Sequence, residues 1–168
     1  MFSRYLLAAV TVTAALLAPA TTAPAARRLD PDAAFLRTAH QGNLAQIALG
    51  RITVRRATDP AIRRLGARFA ADSVRLDLAV RAAARSLDIE LDQEPNSTVQ
   101  QSIMVYRSAP DADFDQFFVS SQAMLHDQAA RVVRTELNDG DEVAARRIAQ
   151  RTLTVIRKHR AVLGHFGQ

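Results

Sequence analysis

The sequence predicts an all-α protein, a four-helix bundle of two antiparallel hairpins joined by a long crossover. Three observations predict it. Aromatic residues make up only 5% of the chain and Trp is absent, while Ala and Leu abound. That composition suits a helical core better than a β-sandwich, which draws on β-branched and aromatic residues. Apolar and small residues recur every three or four positions through four long segments. Asp-Pro and Asp-Gly joints separate the segments.

The first helix is expected over 32–57. Asp30-Pro31-Asp32 opens it, with an Asp to cap and a Pro that the first turn tolerates. Its stripe is Phe35, Ala39, Gly42, Gln46, Leu49 and Thr53. Thr58-Asp59-Pro60 makes a sharp joint, because the residue before Pro is pushed out of the helix. The second helix, 60–87, carries the clearest periodicity, from Ile62, Leu65 and Phe69 through Ser73, Leu76 and Val80 to Leu87.

An acidic stretch, Asp88 to Pro95, breaks the pattern, and a short helix is expected over 97–107. Ala109-Pro110-Asp111 starts the third long helix, 111–138, with Phe114, Phe117, Phe118, Ser121, Leu125 and Val132 toward the core. Gly140 reads as its stop and Asp141 as the cap of the last helix, 141–166. The last stripe is Ala145, Ala149, Thr152, Ile156, His159, Leu163 and Phe166. Roughly 26 residues per helix make about 40 Å. Two such hairpins with a connection able to run the length of the bundle form the ferritin-like arrangement.

Residues 1–26 read as a secretory signal peptide. Arg4 supplies the positive start, Leu6–Ala18 the apolar run, and the small residues between Ala20 and Ala26 the cleavage site. The rival reading is an uncleaved anchor, but the run falls short of the ~20 residues that span a bilayer. No later segment is apolar enough to cross a membrane. The single helical domain, 27–168, is therefore expected outside the cytoplasm: in the periplasm, held in the cell envelope or secreted. The chain has no Cys, which excludes disulfides, thiolate metal sites and a lipoprotein anchor. Its net charge is +5, and Lys158 is its one Lys.

Several short motifs occur in a telling order. They are Asp32-Ala33-Ala34-Phe35-Leu36, Gly42-Asn43-Leu44-Ala45-Gln46-Ile47, Phe69-Ala70-Ala71-Asp72, Phe114-Asp115, His126 and His159. In this order and spacing the chain resembles the exported bacterial family called domain of unknown function 4142, sometimes labelled an outer-membrane protein. The resemblance covers about Asp32 to Phe166. It implies a ferritin-like fold and no agreed biochemical activity. It also implies a polar set inside the bundle: a Glu where this chain has Gln46, a His where it has Ser73, and His residues matching His126 and His159.

One carboxylate and three imidazoles would suit a divalent metal. This chain keeps two of the four, and no carboxylate lies three residues before either His, as di-iron bundles require. Metal ligation by His126 and His159, with Asp72 or a water completing the shell, is one expectation. The favoured one is a structural network among Gln46, Ser73 and the two imidazoles, with no cofactor. His40 lies off the stripe and His165 near the C-terminus, so both are expected in solvent.

No phosphate loop, nucleophile elbow or His-Glu-x-x-His motif occurs, so no catalytic activity is assigned. Asn96-Ser97-Thr98 matches a glycosylation triplet, to which no weight is given. Arg51, Arg55, Arg56, Arg63 and Arg64 gather at the first joint, with Arg157, Lys158 and Arg160 at the same end. That end suits an anionic membrane or cell-wall surface. Without interleaved aromatics it does not suit nucleic acid. The leading expectation is an exported bundle with a binding or envelope-maintenance role. A metal-binding ferritin-like protein and an anionic-surface binder are the alternatives.

Overall fold

The computed structural model describes residues 30–166, so the expected signal peptide lies outside the described residues. Five helices follow in order: α1 (Pro31–Arg56), α2 (Pro60–Ser86), α3 (Ser97–Ser108), α4 (Phe114–Asp139) and α5 (Val143–Leu163). The described residues contain no strand, and none of their helices is long and apolar enough to cross a membrane.

Local chemistry sets the helix ends. Asp30 accepts hydrogen bonds from the Asp32 and Ala33 amides at the start of α1, and Asp59 accepts from Ala61 at the start of α2. The end of α2 is a Schellman turn. Asp88 takes a left-handed φ of 53°, and the Ile89 amide reaches back to the Ala84 carbonyl at 2.8 Å.

α1 and α2 pack most closely. At their crossing a Cβ on Gly66 would stand 2.7 Å from the Thr53 Cβ, and one on Gly50 would strike the Gly66 carbonyl. Only glycine lets the two backbones meet there. α4 packs on α5, α5 also on α2, and α1 on α3 and α4. The α1–α2 joint is tied to α4 by Asp115, whose carboxylate accepts from the Thr58 and Asp59 amides and the Thr58 hydroxyl.

Two apolar clusters divide the core. One joins Leu49, Ile62, Phe69, Tyr106, Phe118 and Leu163, and the other Leu36, Val80, Ala130, Val133, Ala149 and Ile156. The membership of Ala57, Ile62 and Leu163 in one cluster places the end of α5 beside the α1–α2 joint.

Four expectations are corrected. α4 begins at Phe114, not 111. The Arg56 guanidinium gathers the Tyr106, Arg107 and Ala109 carbonyls and the Asp111 carboxylate, holding that connection outside the helix. α5 begins at Val143, and Asp141 is not its cap. Instead Asp32, from α1, accepts from the Asp141 and Glu142 amides at 3.1 Å each. Gly140 does end α4, but with a φ of −77°. Its requirement is closeness, since a Cβ there would collide with the Glu136 carboxyl. Val132, expected in the core, is exposed, while its neighbours Ala130 and Val133 are buried. The α5 stripe ends at Leu163, and residues 164–166 form a turn.

Candidate functional site

Between the two apolar clusters lies a polar layer. His126 on α4 and His159 on α5 are 5% and 3% exposed. The His126 Nδ1 donates to the Gln122 carbonyl one helical turn back, at 2.7 Å. A carbonyl can only accept, so this ring's Nε2 presents a lone pair when the ring is neutral. That Nε2 lies 2.9 Å from the His159 Nδ1, and the His159 Nε2 lies 2.9 Å from Asp72 Oδ2 on α2. Phe69 stacks on His159 with ring centroids 4.0 Å apart and packs against His126 at 5.1 Å.

All four ring nitrogens are thus engaged. Completing every bond in the chain takes one proton more than two neutral rings hold, and Asp72 stands ready as its counter-charge. Burial opposes that proton. It lowers the His126 pKa to about 4, where the Gln122 carbonyl pulls the other way. It also lowers His159, against the Asp72 hydrogen bond and charge. Asp72 is itself lowered: its bonds to His159 and Arg75 outweigh the burial that would raise it. The Arg75 guanidinium bonds its Oδ1, and Arg68 lies 3.8 Å from its Oδ2.

The layer extends through Gln122, whose Nε2 donates to the Tyr106 hydroxyl at 2.9 Å. That hydroxyl pairs with the Ser121 hydroxyl at 2.7 Å. Burial raises the Tyr106 pKa, so its proton stays on the ring.

Beside this layer is a cavity of about 510 Å³ framed by all five helices. Gln46, Ser73, His126 and His159, the four positions singled out in the sequence, all line it. Only the two imidazoles bond to each other. Gln46 and Ser73 do not join their network, and the Gln46 Oε1 is buried with no partner. The network expected from the sequence is therefore built from Asp72, the two His residues, Gln122 and Tyr106. Gln46 and Ser73 serve as wall. Among the described residues, no group of three or more His, Asp or Glu is placed to hold a metal ion. To ligate one, His126 and His159 would have to give up bonds they now make.

Two further buried polar centres were not foreseen. His40, expected in solvent, is 1% exposed. Its Nδ1 meets Asp77 at 2.6 Å and its Nε2 donates to the Asp92 carbonyl at 2.9 Å. Arg81 bonds the other Asp77 oxygen. Gln41 adds bonds to the Glu94 carbonyl and the Asn96 amide, so α1 pins the acidic crossover and fixes the cavity rim. His165 is exposed, as expected. The second centre is Glu136, 2% exposed, with neither carboxyl oxygen accepting a hydrogen bond. Burial raises its pKa to about 8, helped by the negative charge of the neighbouring Asp32 and opposed by Arg146. Glu136 is thus held as a neutral acid beside the Asp32 carboxylate. The contact joins the start of α1 to the end of α4, so no local spacing in the sequence announces it.

The Arg-rich end is partly consumed by structure. Arg56 clamps the crossover and lies over the Phe114 ring, 4.8 Å from its centroid. Arg160 pairs with Asp127. Arg51, Arg55, Arg64, Arg157 and Lys158 are exposed.

No curated protein and no solved structure matches the chain. A family model does match, over residues 17–165, and it spans every helix described above. The chain belongs to that family, the domain of unknown function DUF4142.

Proposed function

We propose that this is an exported, non-catalytic helical protein, a ferritin-like four-helix bundle, that binds a small and mainly apolar molecule outside the cytoplasm. The cavity carries the reading. At about 510 Å³ it falls within the range of small-molecule sites, roughly 300–1,000 Å³. Leu49, Leu76, Leu125, Val133 and Ile156 give it apolar walls, and Gln46, Ser73 and the two imidazoles give it a small polar floor. That is the usual division of labour, with area from apolar groups and orientation from a few polar ones. The signal-like leader supports the compartment, and N-terminal sequencing of envelope-fraction protein checks it: a start between residues 21 and 27 is expected.

The test of binding uses N-phenyl-1-naphthylamine, an uncharged dye that brightens in apolar surroundings. The full chain should enhance its fluorescence saturably, and Ala129→Phe, which fills the cavity from α4, should abolish the enhancement. Enhancement that survives Ala129→Phe would place the dye elsewhere and contradict the reading. The rival metal reading would gain if Zn²⁺, Mn²⁺, Fe²⁺ or Cu²⁺ raised the melting temperature in a His126- and His159-dependent manner.

A further inference from the structure

We infer that the cavity selects an amphiphile with an uncharged, hydrogen-bonding head, such as an alcohol or primary amide, and rejects acids and amines of the same chain. This rests on the binding reading above and names the ligand class of that site.

Charge sets the selection. The inner wall holds no free ion. Asp72 is not part of it; its carboxylate faces Arg75, Arg68 and His159 from behind the layer. Asp77 is occupied by His40 and Arg81. Among the described residues, the only charged ones that line the cavity are Arg37 and Asp92, both exposed and opposite in sign. Arg37 is further engaged with the Glu90 carbonyl. Burial lowers both imidazoles below their ordinary 6.5, so at pH 7 the two rings on the floor are uncharged. A carboxylate or ammonium drawn down to that floor would lose its water and gain no opposing charge, which is strongly unfavourable.

A neutral head meets the opposite situation. The Gln46 Oε1 is buried without a donor, and Ser73, 5% exposed on the facing α2, lines the same space. A hydroxyl or amide offers a donor and an acceptor at once, matching an amide and a hydroxyl in the wall. The alkyl body then replaces water along Leu76, Leu125 and Ile156.

The experiment titrates the full chain at pH 7 with 1-decanol, decanoate and decylamine, followed by calorimetry and by thermal melts. Decanol is expected to bind at least tenfold more tightly than either ion. Gln46→Leu should weaken decanol at least fivefold while leaving the melting temperature of the free protein unchanged or higher, because it also removes an unpaired buried oxygen. Decanoate or decylamine binding as tightly as decanol, still blocked by Ala129→Phe, would overturn the charge selection and leave the cavity as a binding site. No binding by any of the three, with Ala129→Phe melting like the parent, would overturn both.

Discussion

The Nε2 of His126 and the Nδ1 of His159 lie 2.9 Å apart, with Phe69 packed against both rings. In the neutral pair the His126 Nδ1 hydrogen is spent on Gln122, so one contact along His126, His159 and Asp72 lacks a hydrogen. Acid supplies it, but at a site where burial disfavours the charge. The folded His126 pKa, about 4, lies below its ordinary 6.5. Its stability contribution is therefore complete above pH 6.5 and is lost as pH falls toward 4, by up to about 3 kcal/mol. Burial lowers His159 in the same direction. Urea unfolding at pH 4, 5, 6 and 7 should show the parent losing stability relative to His126→Gln as pH falls, since the Glu136 effect is common to both curves. Parallel curves for parent and variant would contradict the assignment.

Glu136 acts with the opposite sign. Its folded pKa of about 8 lies above the ordinary 4.5. The folded state then holds an extra proton between those values, and stability falls as pH rises through that window, by up to about 1.4 kcal/mol per unit. From pH 4.5 to 6.5 this opposes the histidine effect, so net stability should be nearly level there and should decline from 6.5 to 8. Glu136→Gln, neutral at every pH, should remove the alkaline decline. It should match the parent near pH 5 and exceed it at pH 8.5. A parent curve flat from pH 6.5 to 8.5 would show that Glu136 is already ionised.

The α1–α2 crossing makes a cleaner steric prediction. Gly66→Ala drives a methyl to 2.7 Å from the Thr53 Cβ, and overpacking of this kind costs about 1–3 kcal/mol. Better helix propensity returns up to about 1 kcal/mol. A net loss is expected in chemical denaturation. Gly42→Ala, with nothing within 4 Å of the new methyl, should instead stabilise by about 0.5–1 kcal/mol. Equal effects at the two positions would count against the close approach.

Asp77 holds the crossover through His40. Asp77→Ala leaves a buried imidazole and the Arg81 guanidinium without their partner, at a cost of roughly 3 kcal/mol. Since His40 also binds the Asp92 carbonyl, amide hydrogen exchange should speed up across residues 88–96 before it does in α4 or α5. Uniform acceleration along the chain would mean the triad stabilises the fold without fixing the rim.

Much of the helical order was legible because each signal is local. The α2 stripe from Ile62 to Ala83 faces inward largely as its spacing implies, and Asp30 and Asp59 cap as their positions beside Pro suggest. His126 and His159 were found through their stripes and the family resemblance, and Asp72 through its neighbour in sequence. What escaped depends on contacts between distant segments. Asp32 caps a helix more than 100 residues away. His40 is buried because a polar crossover folds over it, and that crossover has no periodicity to announce its path. Gln122 and Tyr106 join the polar layer from positions that read as an ordinary helix face and a short connector. Gln46 was expected to pair with the imidazoles. It shares their cavity but not their hydrogen bonds, because α1 approaches the layer across open space.

The most direct test of the cavity is histidine-ring NMR on the full chain with ¹³C-labelled His, before and after adding 1-decanol at pH 7. The rings of His126 and His159 line the cavity, while His40 is 1% exposed outside its wall and serves as the internal control. Occupancy should shift the His126 and His159 signals saturably and leave His40 and the exposed His165 in place. Unmoved His126 and His159 signals at saturating decanol would contradict the cavity as a binding site.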